Sequence, residues 1–381
     1  MAQGPVVPRI NPGRLLHTGS RDTLSSFDED CLEDVLPPDS MAAPHLERAL
    51  VGHRRAVTSA IFTPDGQRVL TASFDRTAKL FDVATGQCER TFVGHQSTVL
   101  CAVMSHDLRK VATASQDRTV RIFDARSGAW VSTLQGHRDG IYTAVFSPDS
   151  RSVLTASGDR TAQLYDAETG ACKLRFCGHT LAVYMAVFSP DGKKVLTASH
   201  DKTARIFNAK TAECEVVFRG HGAHIYMASW NADGSKVLTA SGDGKAKLWD
   251  VETGSCEVTY DGHEDHVYSA VLSPDGKQVL TACADTLARL FDAASGECKA
   301  ALEGHNAAVH SASFSPDGLQ VLTAADDQTA RLFNVANGAC ERVFEGHGEH
   351  LYTARLSSDG KRVLTAAEDC TAKLFNITDI S

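Results

Sequence analysis

Long hydrophobic runs are absent from this sequence. No apolar stretch approaches the ~18 residues that a membrane-spanning helix needs, so no contact with the inside of a membrane is expected. Residues Met1 to Ile10 lack the basic patch and apolar core of a secretory signal. Positive charge is in short supply too. With 38 Lys and Arg against 47 Asp and Glu, the net charge is −9, the wrong sign for a nucleic-acid footprint. No Cys-x-x-Cys or Cys/His ligand spacing occurs, so no zinc site is expected. There is no phosphate-cradling glycine loop, nucleophile elbow or isolated carboxylate pair, and hence no expected cofactor and little room for an enzyme.

What is present is a repeat. Gly52-His53 returns as Gly94-His95, Gly136-His137, Gly178-His179, Gly220-His221, Gly262-His263, Gly304-His305 and Gly346-His347, always 42 residues on. A period of ~40–45 residues marked by Gly-His is the signature of four-stranded propeller blades. Within one unit, Val57 to Phe62 is β-branched and apolar, and Thr63-Pro64-Asp65-Gly66 closes a tight turn. Val69 to Ser73 and Ala78 to Val83 form the second and third strands, separated at Asp75-Arg76. Cys88 to Val93 is the fourth and runs into the next Gly-His. Apolar residues on both faces of the first two strands imply a sheet sandwiched between neighbouring sheets. One such unit cannot bury both faces alone.

The chain therefore resembles the WD-repeat β-propeller family over residues 45–381. The resemblance implies an all-β ring of eight four-stranded antiparallel blades. It also implies a hydrogen-bonded set in each repeat: His53, Thr71, Asp75 and Phe81 in the first, His221, Thr239, Asp243 and Trp249 in the fifth. The aromatic member departs from the pattern. Trp249 is Trp, Tyr165 is Tyr, and the other six are Phe, which has no indole N–H to donate.

The two ends of the repeat region complement each other. Leu46 to His53 matches Cys88 to His95 in register, an outer strand that no preceding blade owns. The eighth unit stops after its third strand, at Lys373-Leu374-Phe375-Asn376. Pairing them would close the ring and remove two open edges. Residues 1–44 form a separate leader with seven acids and three arginines, read as disordered. Within it Cys31, Leu32, Val35 and Leu36 are candidates for a short helix on a partner, and Ser25 and Ser26 for phosphorylation; a plain solvated tail is the simpler reading. Six of the 11 cysteines (Cys88, Cys172, Cys214, Cys256, Cys298, Cys340) share one register at the start of the fourth strand. Separate blades hold them too far apart to bridge, so they read as small apolar residues in a reducing compartment, cytoplasmic or nuclear.

Two repeating patterns invite a chemical reading. The His–Thr–Asp set suggests a nucleophilic triad, but it recurs eight times with its Thr mid-strand among apolar residues, so a structural role is expected. Lys79, Arg121, Arg205, Lys247, Arg289, Arg331 and Lys373 share one third-strand position. Their stems are expected to pack with the charge exposed.

Positions that differ between blades are freer to carry function. In WD-repeat proteins the residues three and five after the His, and the residue before the Asp, face the top rim, where partners often bind. Here the resemblance points to Tyr142, Tyr184, Tyr226, Tyr268, Tyr352 and His310, with His224, His266 and His350, and with Phe74 and His200. Five of the seven Tyr fall in one register. Rigid rings with a polar tip suit a binding hot spot, although Tyr packing at the channel mouth explains the register equally simply. Separately, Val111 to Arg126 resembles the box ending in W-D-x-R of cullin-RING substrate receptors, with Phe123 in the Trp place and Arg126 as the telling residue. The expected function is a non-catalytic protein-interaction scaffold, a single propeller within a larger complex, with protein partners. The rivals are a ubiquitin-ligase substrate receptor and an enzyme using the central channel.

Overall fold

The computed structural model describes residues 46–378. They form 32 strands, β1 to β32 in chain order, gathered into eight antiparallel four-stranded sheets. The first blade is β2 (Val57–Phe62), β3 (Arg68–Ser73), β4 (Ala78–Asp82) and β5 (Cys88–Phe92), hydrogen-bonded in that order. Every residue of β2 before Phe62, and every residue of β3 after Arg68, is buried, as a strand covered on both faces must be. In β5 only Phe92 is buried, because this strand forms the outer edge.

Turn chemistry sets the blade's corners. Gly66 donates its N–H to the Thr63 carbonyl at 2.8 Å with φ of 68°, a left-handed conformation that glycine adopts without strain. At the opposite rim the residue after each network Asp is also left-handed: Arg76, Arg118, Arg160, Lys202, Gly244, Thr286, Gln328 and Cys370. The glycine of each Gly-His pair has two constraints. Gly94 has φ of 124°, and a side chain there would meet the Arg121 guanidinium at 2.7 Å.

Closure follows the expected scheme. The last sheet joins β30 (Leu351–Leu356), β31 (Arg362–Ala367) and β32 (Ala372–Asn376) to β1 (Leu46–Leu50). Leu50 pairs with Ala372 and Ala49 with Lys373, and Arg362 binds Glu47 at 2.9 Å across 315 positions of sequence. Leu50, Val57, Val69 and Phe81 then share one apolar cluster with Leu364 and Leu374, sealing blade eight against blade one. The leader, with the segment around Cys31 and the sites Ser25 and Ser26, lies outside the described residues.

Candidate functional site

The site begins with an irregularity in the innermost strand. In every blade the pairing of the first strand with the second skips one residue: the register slips between Ile141 and Thr143, between Val183 and Met185, between Ile225 and Met227, and between Val267 and Ser269. The skipped residues are Tyr142, Tyr184, Tyr226 and Tyr268. A β-bulge re-aims the side chain of its extra residue. Here it turns four tyrosines towards one another round the ring.

Their rings form a continuous arc. Centroids lie 5.5 Å apart for Tyr142–Tyr184, 6.2 Å for Tyr184–Tyr226 and 5.5 Å for Tyr226–Tyr268, with His310 at 5.2 Å from Tyr268. These are tilted and stacked contacts in the favourable range for π-systems. Exposure along the arc is uneven. Tyr184 and Tyr226 are only 3% and 7% exposed, covered by their neighbours, whereas Tyr142, Tyr268 and Tyr352 are half-buried. Burial raises the phenol pKa along the arc, to about 12 at Tyr268, so the hydroxyls remain protonated donors. The same bulge position holds Thr58 and Leu100 in blades one and two, both buried, so the arc stops there.

Three histidines each tie their blade to the one before. His224 Nδ1 lies 3.0 Å from the His200 carbonyl, His266 Nδ1 2.8 Å from that of Gly242, and His350 Nδ1 2.7 Å from that of Asp326. A carbonyl only accepts, so each Nδ1 carries the proton and each Nε2 is left for another contact. The Nε2 of His224 meets that of His200 at 2.7 Å, and Tyr184 Oη contacts His200 Nδ1 at 3.2 Å. Burial, then the neighbouring His224, lowers the His200 pKa. Asp326 reaches His310 at 2.7 Å. Phe74 is half-buried on the same rim, while the His266 side chain is 46% exposed.

Beneath the rim lie the hydrogen-bonded networks that the family resemblance implies. His53 Nδ1 lies 2.8 Å from Asp75 and Nε2 2.7 Å from Thr71 Oγ1. Burial opposes the charge on Asp75, but bonds from His53, Thr77 and the Arg54 N–H outweigh it and hold the carboxyl far below its usual range. In blade five Trp249 Nε1 donates to Thr239 Oγ1 at 2.8 Å, Thr239 donates to His221, and His221 donates to Asp243. Tyr165 does not reach its Thr. Its hydroxyl donates to Gln163 at 2.8 Å instead. The threonines lie at 0–1% exposure among apolar strands, out of reach of a substrate.

Two expectations are corrected, and a third cluster needs an account. The third-strand cations do not hold their charges out in solvent: the Arg289 side chain is only 14% exposed and donates to Asp285 at 2.6 Å, and Lys373 donates to the Gly346 carbonyl. The six register-sharing cysteines are exposed rather than packed as apolar fillers, with Sγ donating to the carbonyl two residues on in the same strand, as at Cys88 and Cys340. No metal-ligand spacing is visible in the sequence, yet the structure brings His263, Cys283 and Asp285 together in blade six, with ligand atoms within 4.8 Å. This is that blade's own network, with Cys in the place of Ser. The Arg289 guanidinium already contacts both His263 and Asp285, so the positive charge a metal would supply is present. Arg126 is exposed in the turn between the third and fourth strands of blade two, on the rim opposite the arc; its carbonyl accepts from Arg90 at 2.9 Å.

The model of the WD domain, G-beta repeat, matches residues 45–82, 86–124, 128–166, 170–208, 212–250, 254–292, 296–334 and 338–376. Each match starts on an outer strand and ends on a third strand, one strand out of phase with the blades. No curated protein matches the chain. Among solved structures, that of the computationally designed Ika8 protein superposes with a TM-score of 0.76 at 25% identity, covering 88% of this chain and 99% of that one.

Proposed function

The chain belongs to the WD-repeat family, and from that premise we propose that it is a non-catalytic scaffold that binds partner proteins on its top face. Propellers of this family generally serve as protein-interaction scaffolds. The observation that carries the reading is the arc from Tyr142 to His310, a continuous run of ring contacts on one rim of a rigid ring. The half-buried members, Tyr142 and Tyr268, supply contact area, Tyr352 lies half-buried on the same rim, and His266 and His350 supply polar edges. Tyr184 and Tyr226 hold the arc in place from beneath. A peptide lying across these rings gains apolar contact and accepts hydrogen bonds from the phenols, with a few anchors contributing ~2 kcal/mol or more each. The exposed thiols favour a reducing compartment, cytoplasm or nucleus.

Affinity capture from lysate tests this reading. Tyr142→Ala with Tyr268→Ala should lose the main partner at least tenfold, while Lys193→Ala with Lys277→Ala, on the opposite rim and well exposed, retains it. The Phe versions of the same two tyrosines keep the rings and separate folding from binding. Equal capture by the Ala and Lys variants would sink the proposal.

A further inference from the structure

The top face carries a second pattern, in charge. Its loops precede the first strand and follow the second in each blade. In blade one they expose Arg54, Arg55 and Arg76; in blade two, Arg118; in blade three, Arg138 and Arg160; in blade four, Lys202. The arginines that do form ion pairs among the described residues are Arg68, Arg175, Arg289 and Arg362, and none belongs to this crescent. One exposed acid interrupts it, Asp139, which accepts from the Gly140 N–H. The other half is acidic. Blade six exposes Glu264 and Asp265, blade seven Glu303, and blade eight Glu345 and Glu349, with half-buried Asp326 and Glu368 behind them. Blade five is weakly basic: Arg219 is exposed ahead of glycines at Gly222 and Gly244, and Lys245 pairs with Asp261 of the loop before blade six.

We propose that this divided face docks against the top face of a second copy of the chain. An isologous pair places the same surface on both partners, related by a two-fold axis. Let the axis lie in the face, entering between blades eight and one and leaving between four and five. Blade one then faces blade eight, two faces seven, three faces six, and four faces five. Arg54, Arg55 and Arg76 meet Glu345 and Glu349; Arg118 meets Glu303; Arg138 and Arg160 meet Glu264 and Asp265. Lys202 meets the Arg219 blade, the one opposition of like charge. Every opposition occurs twice. A uniformly acidic partner, or a nucleic acid, would gain on blades one to four and be repelled by blades six to eight. Such pairing replaces the expected lone propeller and rests on charge alone, independently of the tyrosine reading.

Charge swaps test it on the full chain. Sedimentation equilibrium at low salt should show a reversible dimer that dissociates at ~0.5 M salt, where the Debye length falls to ~4 Å. Arg54→Glu with Arg55→Glu should be monomeric, because blade one then repels blade eight twice. Glu345→Lys with Glu349→Lys should be monomeric for the converse reason. Mixing the two variants restores both oppositions, so a heterodimer should reappear at least tenfold tighter than either variant alone. All four positions are exposed, and unchanged thermal unfolding confirms intact folds. A wild-type monomer at low salt, a dimer indifferent to either swap, or a mixture that stays monomeric would each overturn the proposal. Both surfaces lie on the top face, so dimerisation competes with partner capture through Tyr142 and Tyr268, and the monomeric swap variants should keep that capture.

Discussion

Blade five and blade eight share one architecture but are held by different means. Blade five, β18 (Ile225–Trp230) to β21 (Cys256–Tyr260), is cut from one run of chain, and its network is complete. Trp249, Thr239, His221 and Asp243 form an unbroken donor chain, and Ser241 Oγ accepts the Asp243 N–H at 3.2 Å. Blade eight is assembled from both ends of the repeat region. Phe375 stands in the Trp place and Ala367 in that of Ser, so two of those bonds have no counterpart. Its outer strand β1 comes from the other end of the repeat region but makes the same contacts as blade five's: Leu50 is fully buried and Glu47 binds Arg362, as Tyr260 is buried and Glu257 binds Lys236. The lesson is that the repeated apolar pattern specifies the blade. The polar network is adjustable where other contacts hold the sheet.

The largest expected effect comes from removing what is peculiar to blade eight. Deleting residues 1–50 takes away β1, exposes the edge of β32 and empties the Leu50 site. Loss of a buried Leu alone costs about 2–5 kcal/mol. The midpoint of denaturant unfolding should fall steeply and aggregation should rise, whereas deleting residues 1–44 should leave it nearly unchanged. Equal midpoints for the two truncations would show that β1 contributes nothing to closure.

Next in size is the matched pair Thr239→Val and Thr365→Val. In blade five the change strands both His221 Nε2 and Trp249 Nε1; in blade eight it strands only His347 Nε2. Each buried group left without a partner costs about 1–3 kcal/mol. Thr239→Val should therefore destabilise by about twice as much as Thr365→Val. A reversed order would mean that the Trp adds no bond worth counting.

Acid should act in two stages, and blade eight should feel both. Burial is the largest influence on His347 and lowers its pKa below 6.5 despite Asp369 beside it. The folded state therefore favours the neutral ring, and that stability, present above pH 6.5, is lost as the pH falls through the lowered value. His179 and His263 behave alike. Asp243 and Asp369 are held at about 2 against 3.8, so their contribution is intact above pH 3.8 and lost as the pH approaches 2. Melting temperature should decline first below pH 6.5 and again below pH 3.8. A flat profile between neutrality and pH 4 would remove the histidine stage.

The smallest effect is expected from Phe375→Trp, which gives blade eight the donor of blade five. A new bond to Thr365 contributes about 1 kcal/mol. The larger ring must fit beside Phe344, whose centroid lies 5.3 Å away, at a cost of about 1–3 kcal/mol. The unfolding midpoint should change little. A large gain would show that blade eight has room to spare.

The fold was legible in the sequence because the repeat carries local rules. Gly-His, the Pro-Asp-Gly turn and the two apolar strands each dictate short-range geometry, and copying them eight times at constant spacing dictates a ring. Even closure was readable, since Leu46 to Leu50 matches an outer strand that no blade before it owns. The Tyr register was visible as well, but not its exposure. The bulge at Tyr142 and its equivalents depends on how the first strand pairs with the second. Whether Tyr184 is covered depends on rings supplied by the neighbouring blades, 42 residues away on either side. The third-strand arginines were misjudged for the same reason. Local pattern shows a long cationic side chain at a half-buried position, while the fold alone places a carboxylate such as Asp285 within its reach. The charge division of the top face is already written along the chain, with cations in loops of residues 54–202 and acids in loops of residues 264–368. What the fold adds is the ring, which brings those loops onto one rim and sets the two runs on opposite halves of it.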